Sequence, residues 1–296
     1  MSAVPRIGRF AVELCALAYL LLTACGGEEA PSDVPAAATT QASLPEPQPE
    51  PEALPEAEAV LEAHVRAIGG REAIEAIESL YIKSEVRLDA RHITGSSEMW
   101  WQRGSADELA RFATAQILEG VGTNAAGFDG RELWLRDDFN GLRTLEGREA
   151  ELYQRGSSPF LIADWKAHFE SAKTLGRLQS PEGPMLEVEL LTALEQRVVM
   201  VFAESDGLLY EVRYDELSAD GPRPLVSKPS DYRRVAGVRF AHEQRTQSAH
   251  GELVQTTVAI EANVEIDPIR FQSPLGSDRV EVDPRKQPVP AIKGRK

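Results

Sequence analysis

The sequence predicts a mostly β domain of the α+β class, built as a curled antiparallel sheet or an incomplete β-barrel. From residue 80 onward, short segments alternate apolar and polar residues, which is the period of half-buried strands. Turn sequences at Ser205–Gly207 and Ala236–Gly237 join consecutive segments, and strands joined by tight turns are antiparallel. Only a few helical stretches accompany these strands. A sheet of this many strands has to curl or close.

Three helices are predicted from apolar residues at helical spacing. The first runs from Glu58 to Ile68 and ends before two glycines, and a second, short helix covers residues 71–79. A mid-chain helical segment covers Gly147–Ala163, broken by Gly156 and Pro159. We expect the first helix and the mid-chain segment to cover the open side of the sheet.

Strands are predicted wherever the apolar period is two. The first alternates clearly, with Val86 and Leu88 facing one way and Glu85 and Arg87 the other. The predicted strands are Leu80–Asp89, Ser97–Arg103, Glu108–Ile117, Arg131–Arg136, Lys173–Leu178, Met185–Leu191, Arg197–Ala203, Leu208–Tyr214, Ser230–Val235, Val238–Thr246 and Glu252–Val264.

The first 24 residues have the organisation of a bacterial export signal. Arg6 and Arg9 precede an apolar run, Phe10–Ala24, that is shorter than the roughly 20 residues of a membrane span. The run ends in Leu-Thr-Ala-Cys, which resembles the lipoprotein signal in which the cysteine becomes the acylated first residue. The sequence therefore predicts a signal peptide over residues 1–24 and lipidation at Cys25. The following residue, Gly26, resembles an outer-membrane sorting signal, so we expect anchoring in the outer membrane, facing the periplasm.

Two further segments flank the predicted domain, which covers residues 57–274. Residues 25–56 are rich in Ala, Pro and Glu and contain no basic residue, so they predict an extended tether. Residues 275–296 are basic and contain proline, which predicts a disordered tail.

The composition argues against several classes of function. A net charge of −15 argues against a nucleic-acid-binding face. The chain has 2 cysteines, Cys15 and Cys25, so the domain has no disulfide and no thiolate metal site. Its 5 histidines are scattered, and His64 and His242 are interpreted as core residues. We expect no metal site, no cofactor and no catalytic residue, and Asp137–Asp138 is interpreted as part of a polar turn.

Aromatic and other apolar residues on the predicted strands are candidates for contacting an apolar ligand. The adjacent pair Trp100–Trp101 must point to opposite faces of its strand, so one indole faces the core and the other faces outward or into a cavity mouth. Large rigid side chains of this kind suit an apolar pocket. The alternative interpretation is that one tryptophan lies in the core and the other covers a sheet edge or a helix. The candidate ligand-binding residues are Trp100, Trp101, Met200, Phe202, Tyr210 and Tyr214.

Three segments together resemble the LolA-like lipoprotein-carrier superfamily. They are Val60–Ile77, Phe128–Trp134 and Asp231–Phe240, and they occur in the order found in that superfamily. The resemblance implies a half-barrel of antiparallel strands lidded by helices around a hydrophobic cavity. In the founding members, the cavity takes the acyl chains of lipoproteins in transit.

These observations predict a membrane-anchored envelope lipoprotein that binds or carries an apolar ligand such as a lipid, an acyl chain or a lipoprotein. The alternative is a non-catalytic interaction or scaffold lipoprotein with an unknown protein partner. A third hypothesis is an enzyme, which predicts a cleft where titratable groups converge.

Overall fold

The computed structural model describes residues 53–105, 108–218, 221–248 and 251–274. The predicted signal peptide, Cys25, nearly all of the predicted tether and the predicted tail lie outside the described residues.

Three α-helices are present in these ranges. They are α1 at Ala57–Ile68, α2 at Arg71–Glu75 and α3 at Gly147–Gly156. The prediction of helix as far as residue 163 was wrong beyond Gly156, because a glycine and then Pro159 interrupt the helical hydrogen bonds. None of these helices has the length and apolarity that crossing a bilayer requires.

Thirteen strands follow each other within the same ranges. They are β1 Ser79–Leu88, β2 Ile93–Gln102, β3 Arg111–Leu118, β4 Gly122–Phe128, β5 Leu133–Asp137, β6 Gly141–Thr144, β7 Ser171–Ser180, β8 Gly183–Leu191, β9 Arg197–Ala203, β10 Leu209–Ser218, β11 Gly221–Val235, β12 Val238–Ser248 and β13 Gly251–Ala262. Strands β4 and β6 were not predicted. Both contain glycine and few of the β-branched residues that favour strands.

All the strands form one 13-stranded antiparallel sheet, in the order β6-β5-β4-β3-β2-β1-β13-β12-β11-β10-β9-β8-β7. Sequence neighbours pair throughout, except that β6 and β7 form the two edges and β1 pairs with β13. The sheet is therefore open, which confirms the predicted antiparallel and unclosed architecture. The hairpin turn between β11 and β12 has positive φ at Ala236 (47°) and Gly237 (89°), as a type I′ turn requires.

One face of the sheet, here called the inner face, carries two apolar clusters. The Phe160 cluster contains both Leu135 of β5 and Phe240 of β12, which are six strands apart, so the sheet must curl around it. Its buried members are Val65, Ile68, Ile74, Ile77, Leu80, Trp101, Phe112, Ala126, Phe128, Leu133, Leu135, Leu145, Tyr153, Phe160, Ala163, Val238 and Phe240. The Phe202 cluster contains Ala57, Val60, Leu61, Val86, Leu88, Leu118, Leu161, Ile162, Phe169, Leu186, Val188, Leu190, Val198, Met200, Phe202, Val212, Tyr214, Leu225 and Leu253.

Two segments contribute side chains to both clusters. Helix α1 places Leu61 in the Phe202 cluster and Val65 in the Phe160 cluster. Residues 157–169, here called the crossing segment, place Ile162 in the first and Phe160 in the second. Both segments therefore pack across the inner face.

The opposite, outer face carries a smaller cluster formed by the chain after β13. Phe271 is fully buried there beside Ala113 and against Trp100. The indole Nε1 of Trp134 donates a hydrogen bond to the Phe271 carbonyl at 2.9 Å. The guanidinium of Arg270 lies 4.1 Å from the Trp100 ring centre. The end of the domain is thus fixed to the outer face of β2–β5.

Candidate ligand-binding site

A groove of about 540 Å³ lies beside α1, along β8, β9 and the turn that follows β9. Apolar side chains and alanines form most of its wall, and polar side chains lie at the turn. The groove is lined by Pro55, Ala59, Val60, Ala63, Arg66, Ala67, Leu186, Phe202, Ala203, Glu204, Ser205, Asp206 and Gly207.

The helical wall of the groove is a row of small side chains. Ala59, Ala63 and Ala67 recur every fourth residue and therefore lie on one side of α1. At one end, the predicted turn at Ser205–Gly207 is confirmed, with Gly207 at a φ of 73°. A Cβ on Gly207 would lie 3.1 Å from the Ala63 carbonyl oxygen, so the turn packs closely against the helix only with glycine there.

The floor of the groove belongs to the apolar core. Val60, Leu186 and Phe202 are all buried members of the Phe202 cluster. On the polar side, Glu204 accepts a hydrogen bond from Arg177 Nε at 2.8 Å, which holds its carboxylate in place. The groove thus has an apolar floor that continues into the core and a charged margin.

His64 connects α1 to the turn behind the groove. Its Nδ1 lies 3.0 Å from the Gly207 carbonyl oxygen, and its ring lies 5.4 Å from the Phe202 ring. Burial lowers the pKa of His64 to about 4, even though the bond to Gly207 and the charge of Asp206 act in the opposite direction. His64 is therefore a neutral core histidine at neutral pH, as predicted, and Nδ1 is the atom that donates.

The stability of the domain is expected to fall on acidification because of this histidine. The folded-state pKa of His64 lies below the ordinary value near 6.5, so between these values the unfolded chain binds a proton that the folded chain does not. Stability is lost as the pH falls from about 6.5 towards 4. Denaturant unfolding at pH 7 and at pH 5 measures this effect. Between these two values, the free energy of unfolding of His64→Phe should fall by about 2 kcal/mol less than that of the wild type. The exposed His92, changed to Asn, serves as the control; equal losses in His64→Phe and the wild type would contradict the assignment.

The six candidate ligand-binding residues do not form one site. Met200, Phe202 and Tyr214 lie in the Phe202 cluster, and Phe202 is the one that also lines the groove. Trp101 lies in the Phe160 cluster, where its ring meets Phe160 edge-on at 5.3 Å. Trp100 points to the outer face and packs beneath the C-terminal segment. The two adjacent tryptophans therefore lie on opposite faces, one of the two arrangements expected.

The expectation that Tyr210 lines the inner face was wrong. The register between β9 and β10 shifts between Leu209 and Glu211, so a β-bulge changes the alternation at this point. Tyr210 lies on the outer face, where the Lys228 amine is 5.5 Å from its ring centre.

Polar side chains of the described residues do not converge into a metal site. In the ranges that the structure covers, no group of three or more His, Cys, Asp or Glu side chains is placed to hold an ion. Asp137 forms the turn expected of it, since its Oδ1 accepts the backbone N–H groups of Phe139 at 2.8 Å and Asn140 at 2.7 Å.

Sequence reasoning missed the alanine row of α1 and the extension of the apolar crossing segment beyond residue 163, to Phe169. The four-residue spacing of Ala59, Ala63 and Ala67 was visible, but small residues at that spacing usually indicate helix packing. The groove itself joins residues that are far apart in sequence, such as His64 and Gly207, which are 143 positions apart.

Solved structures share this architecture. A DUF1329 family protein from Desulfovibrio piger superposes with a TM-score of 0.51 at 10% identity, over 73% of this chain and 97% of that one. A LolA superfamily protein from Nitrosomonas europaea has a TM-score of 0.51 at 13% identity, over 75% of this chain and 100% of that one. The fold is LolA-like. The chain matches no protein-family model, and no curated protein is significantly similar to it in sequence.

Proposed function

We propose that this protein is a membrane-tethered envelope lipoprotein that binds an apolar ligand, a lipid or an acyl chain, in the groove beside α1. The observation that carries the proposal is the groove itself, an apolar-floored space of about 540 Å³ beside α1. Small-molecule sites are commonly apolar clefts of about 300–1,000 Å³ with a few polar groups at the margin. The proposed activity is binding, without catalysis.

The floor of the groove explains why the ligand would be apolar. Val60, Leu186 and Phe202 offer hydrocarbon and aromatic surface, and the alanines of α1 leave room above it. Each methylene group of a chain buried there would contribute about 0.8 kcal/mol. The margin, with Arg66 and Asp206 exposed, suits the polar end of an amphipathic molecule.

The LolA-like fold supports the same proposal. In this fold we propose that α1 and the crossing segment cover the open side of the sheet, since both contribute side chains to both inner clusters. The proposed ligand would enter beside α1, where the cover contains alanines instead of large side chains.

The proposed location follows from the N-terminal sequence. Acylated Cys25 would anchor the chain in the outer membrane, facing the periplasm, because two or more acyl chains hold a protein stably on a bilayer. Residues 25–56 would act as the tether, so that the domain reaches lipids or lipoproteins near the membrane. The apolar ligand could then be the acyl chain of a lipoprotein.

The alternative of a protein-interaction scaffold predicts a contiguous exposed apolar patch. Among the described residues, no helix or strand carries two of the large exposed apolar side chains, so no single element presents an apolar stripe; the six are Leu54, Leu109, Phe139, Leu194, Val258 and Ile269. This distribution favours the groove as the site of binding.

Filling the groove should abolish binding without unfolding the domain. Ala59 is exposed on α1, so Ala59→Trp can place an indole in the groove without displacing core side chains. We expect the affinity for a fluorescent fatty-acid probe to fall by about tenfold or more, the equivalent of at least ~1.4 kcal/mol. The matched control is Ala193→Trp, in the exposed β8–β9 turn away from the groove. Unchanged probe affinity in a folded Ala59→Trp variant would rule out the groove as the site.

A further inference from the structure

A row of polar side chains crosses the inner face between the two apolar clusters. Asp137, Asn124, Gln116, Ser97 and Ser84 are successive register partners on five neighbouring strands, β5, β4, β3, β2 and β1. His242 of β12 continues the row beyond β13, and its Nδ1 lies 3.2 Å from the carbonyl oxygen of Thr257, the register partner of Ser84. These six residues are here called the polar row, and all of them are buried.

The row separates the two apolar clusters along the strands. Two residues beyond Ser84 and Gln116 lie Val86 and Leu118, which belong to the Phe202 cluster. In the opposite direction along β3 lies Phe112, which belongs to the Phe160 cluster. A molecule that contacted both clusters on the inner face of β1–β5 would therefore pass over the polar row.

Several atoms of the row have no hydrogen-bond partner. Gln116 is fully buried, and both its Oε1 and its Nε2 lack a partner, as do Asn124 Oδ1 and His242 Nε2. Leaving a buried polar group unsatisfied costs about 1–3 kcal/mol. Apolar residues at these inner positions would avoid that cost, so the polar side chains need another explanation.

The atoms without a partner indicate which hydrogen-bonding groups a ligand would need in order to pair with them. A primary amide both donates and accepts, Asn124 Oδ1 accepts, and the row contains no lysine or arginine. The one carboxylate, Asp137, is already bonded by backbone N–H groups. Such a row suits an uncharged group that carries both acceptors and donors, such as a glyceryl ester with free hydroxyls, and it offers nothing to balance a phosphate.

We propose that the polar row binds the neutral ester and hydroxyl groups of an acylglycerol whose acyl chain lies in the Phe202 cluster. This inference rests on the proposed function and names the ligand class of that binding site. The Phe202 cluster extends from the groove floor at Val60 and Phe202 to Val86 and Leu118 beside the row. An acyl chain entering at the groove therefore reaches the row by displacing side chains of a single cluster. Helix α1 and the crossing segment, which pack over both clusters, shift to admit it.

The test compares two ligands of equal chain length on two matched glutamine variants. The chain from Gly26 to Lys296 is titrated with monooleoylglycerol and with octadecene, each competing with a fluorescent fatty-acid probe. Gln116→Leu removes the free amide, whereas the control Gln244→Leu removes an inner-face amide whose Nε2 already donates to Ser227 Oγ at 2.8 Å. We expect Gln116→Leu to weaken monooleoylglycerol binding about tenfold and leave octadecene binding unchanged. Gln244→Leu should not change the ratio of the two affinities.

The outcomes separate this inference from the proposed function. If neither ligand binds the wild type, the proposed function fails. If both bind but Gln116→Leu leaves their affinities unchanged or lowers them equally, the polar row is a purely structural feature and the inference is overturned. If Gln116→Leu does not fold, the test uses His242→Phe, which removes the free Nε2 at the other end of the row. Its readout is again the ratio of the affinities for monooleoylglycerol and octadecene.

Discussion

Replacing Phe160 with alanine is expected to lower the free energy of unfolding by about 3–5 kcal/mol, the usual range for a buried phenylalanine. The side chain is 2% exposed and belongs to the Phe160 cluster. Its ring is 5.3 Å from the Trp101 ring and 6.0 Å from the Phe240 ring, and the Arg103 guanidinium is 5.6 Å from its centre. The substitution removes this aromatic contact between the crossing segment and both β2 and β12.

The matched control for this prediction is Phe139→Ala. Phe139 is 41% exposed in the β5–β6 turn, so the same chemical change should cost well under 1 kcal/mol there. Denaturant unfolding of both variants measures the difference. A cost for Phe160→Ala as small as that for Phe139→Ala would show that the crossing segment is not part of the core.

Changing Cys25 to serine is expected to abolish lipidation completely. A serine hydroxyl does not replace the thiol that receives the diacylglyceryl group, and without acyl chains the proposed anchor is lost. Cells fed an alkyne fatty acid should label the wild-type protein and leave Cys25→Ser unlabelled.

The second cysteine provides the control for this labelling. Cys15 lies inside the predicted signal peptide, so Cys15→Ser should retain the label in full. Label that persisted in Cys25→Ser would contradict the lipoprotein assignment, and loss of label in Cys15→Ser would place the acylation elsewhere.

The strand pattern was predictable wherever one face of a strand is buried. Val86 and Leu88 are buried as their alternation predicted, since the period of two directly reports a half-buried strand. Strand β4 escaped prediction because its glycines, alanines and asparagine carry no such signal, and tertiary pairing with β3 and β5 holds it in place.

The predicted side-chain direction was wrong at Tyr210, where the register between β9 and β10 shifts. Tyr210 shares the sequence alternation of Val212 and Tyr214, but the bulge beside Leu209 turns it outward. A single extra residue in one strand reverses the direction of the residues before it, and periodicity alone does not reveal its position.

The candidate site and the polar row depend on contacts between distant parts of the chain. The groove brings α1 against the β9–β10 turn, and the polar row depends on pairings such as that of β1 with β13, where Gln255 donates to Ser84 across 171 positions. In the sequence, Gln116 and Asn124 are ordinary polar residues on separate strands. Their register partnership makes them a buried row.

Native mass spectrometry of the chain from Gly26 to Lys296, purified without detergent, tests whether the domain binds an apolar ligand. We expect the protein to carry a lipid of defined mass, or to take up one added acyl lipid per chain, and we expect Ala59→Trp to lose this binding. A wild-type protein that stays free of lipid and ignores added acyl lipids would contradict the proposed binding function.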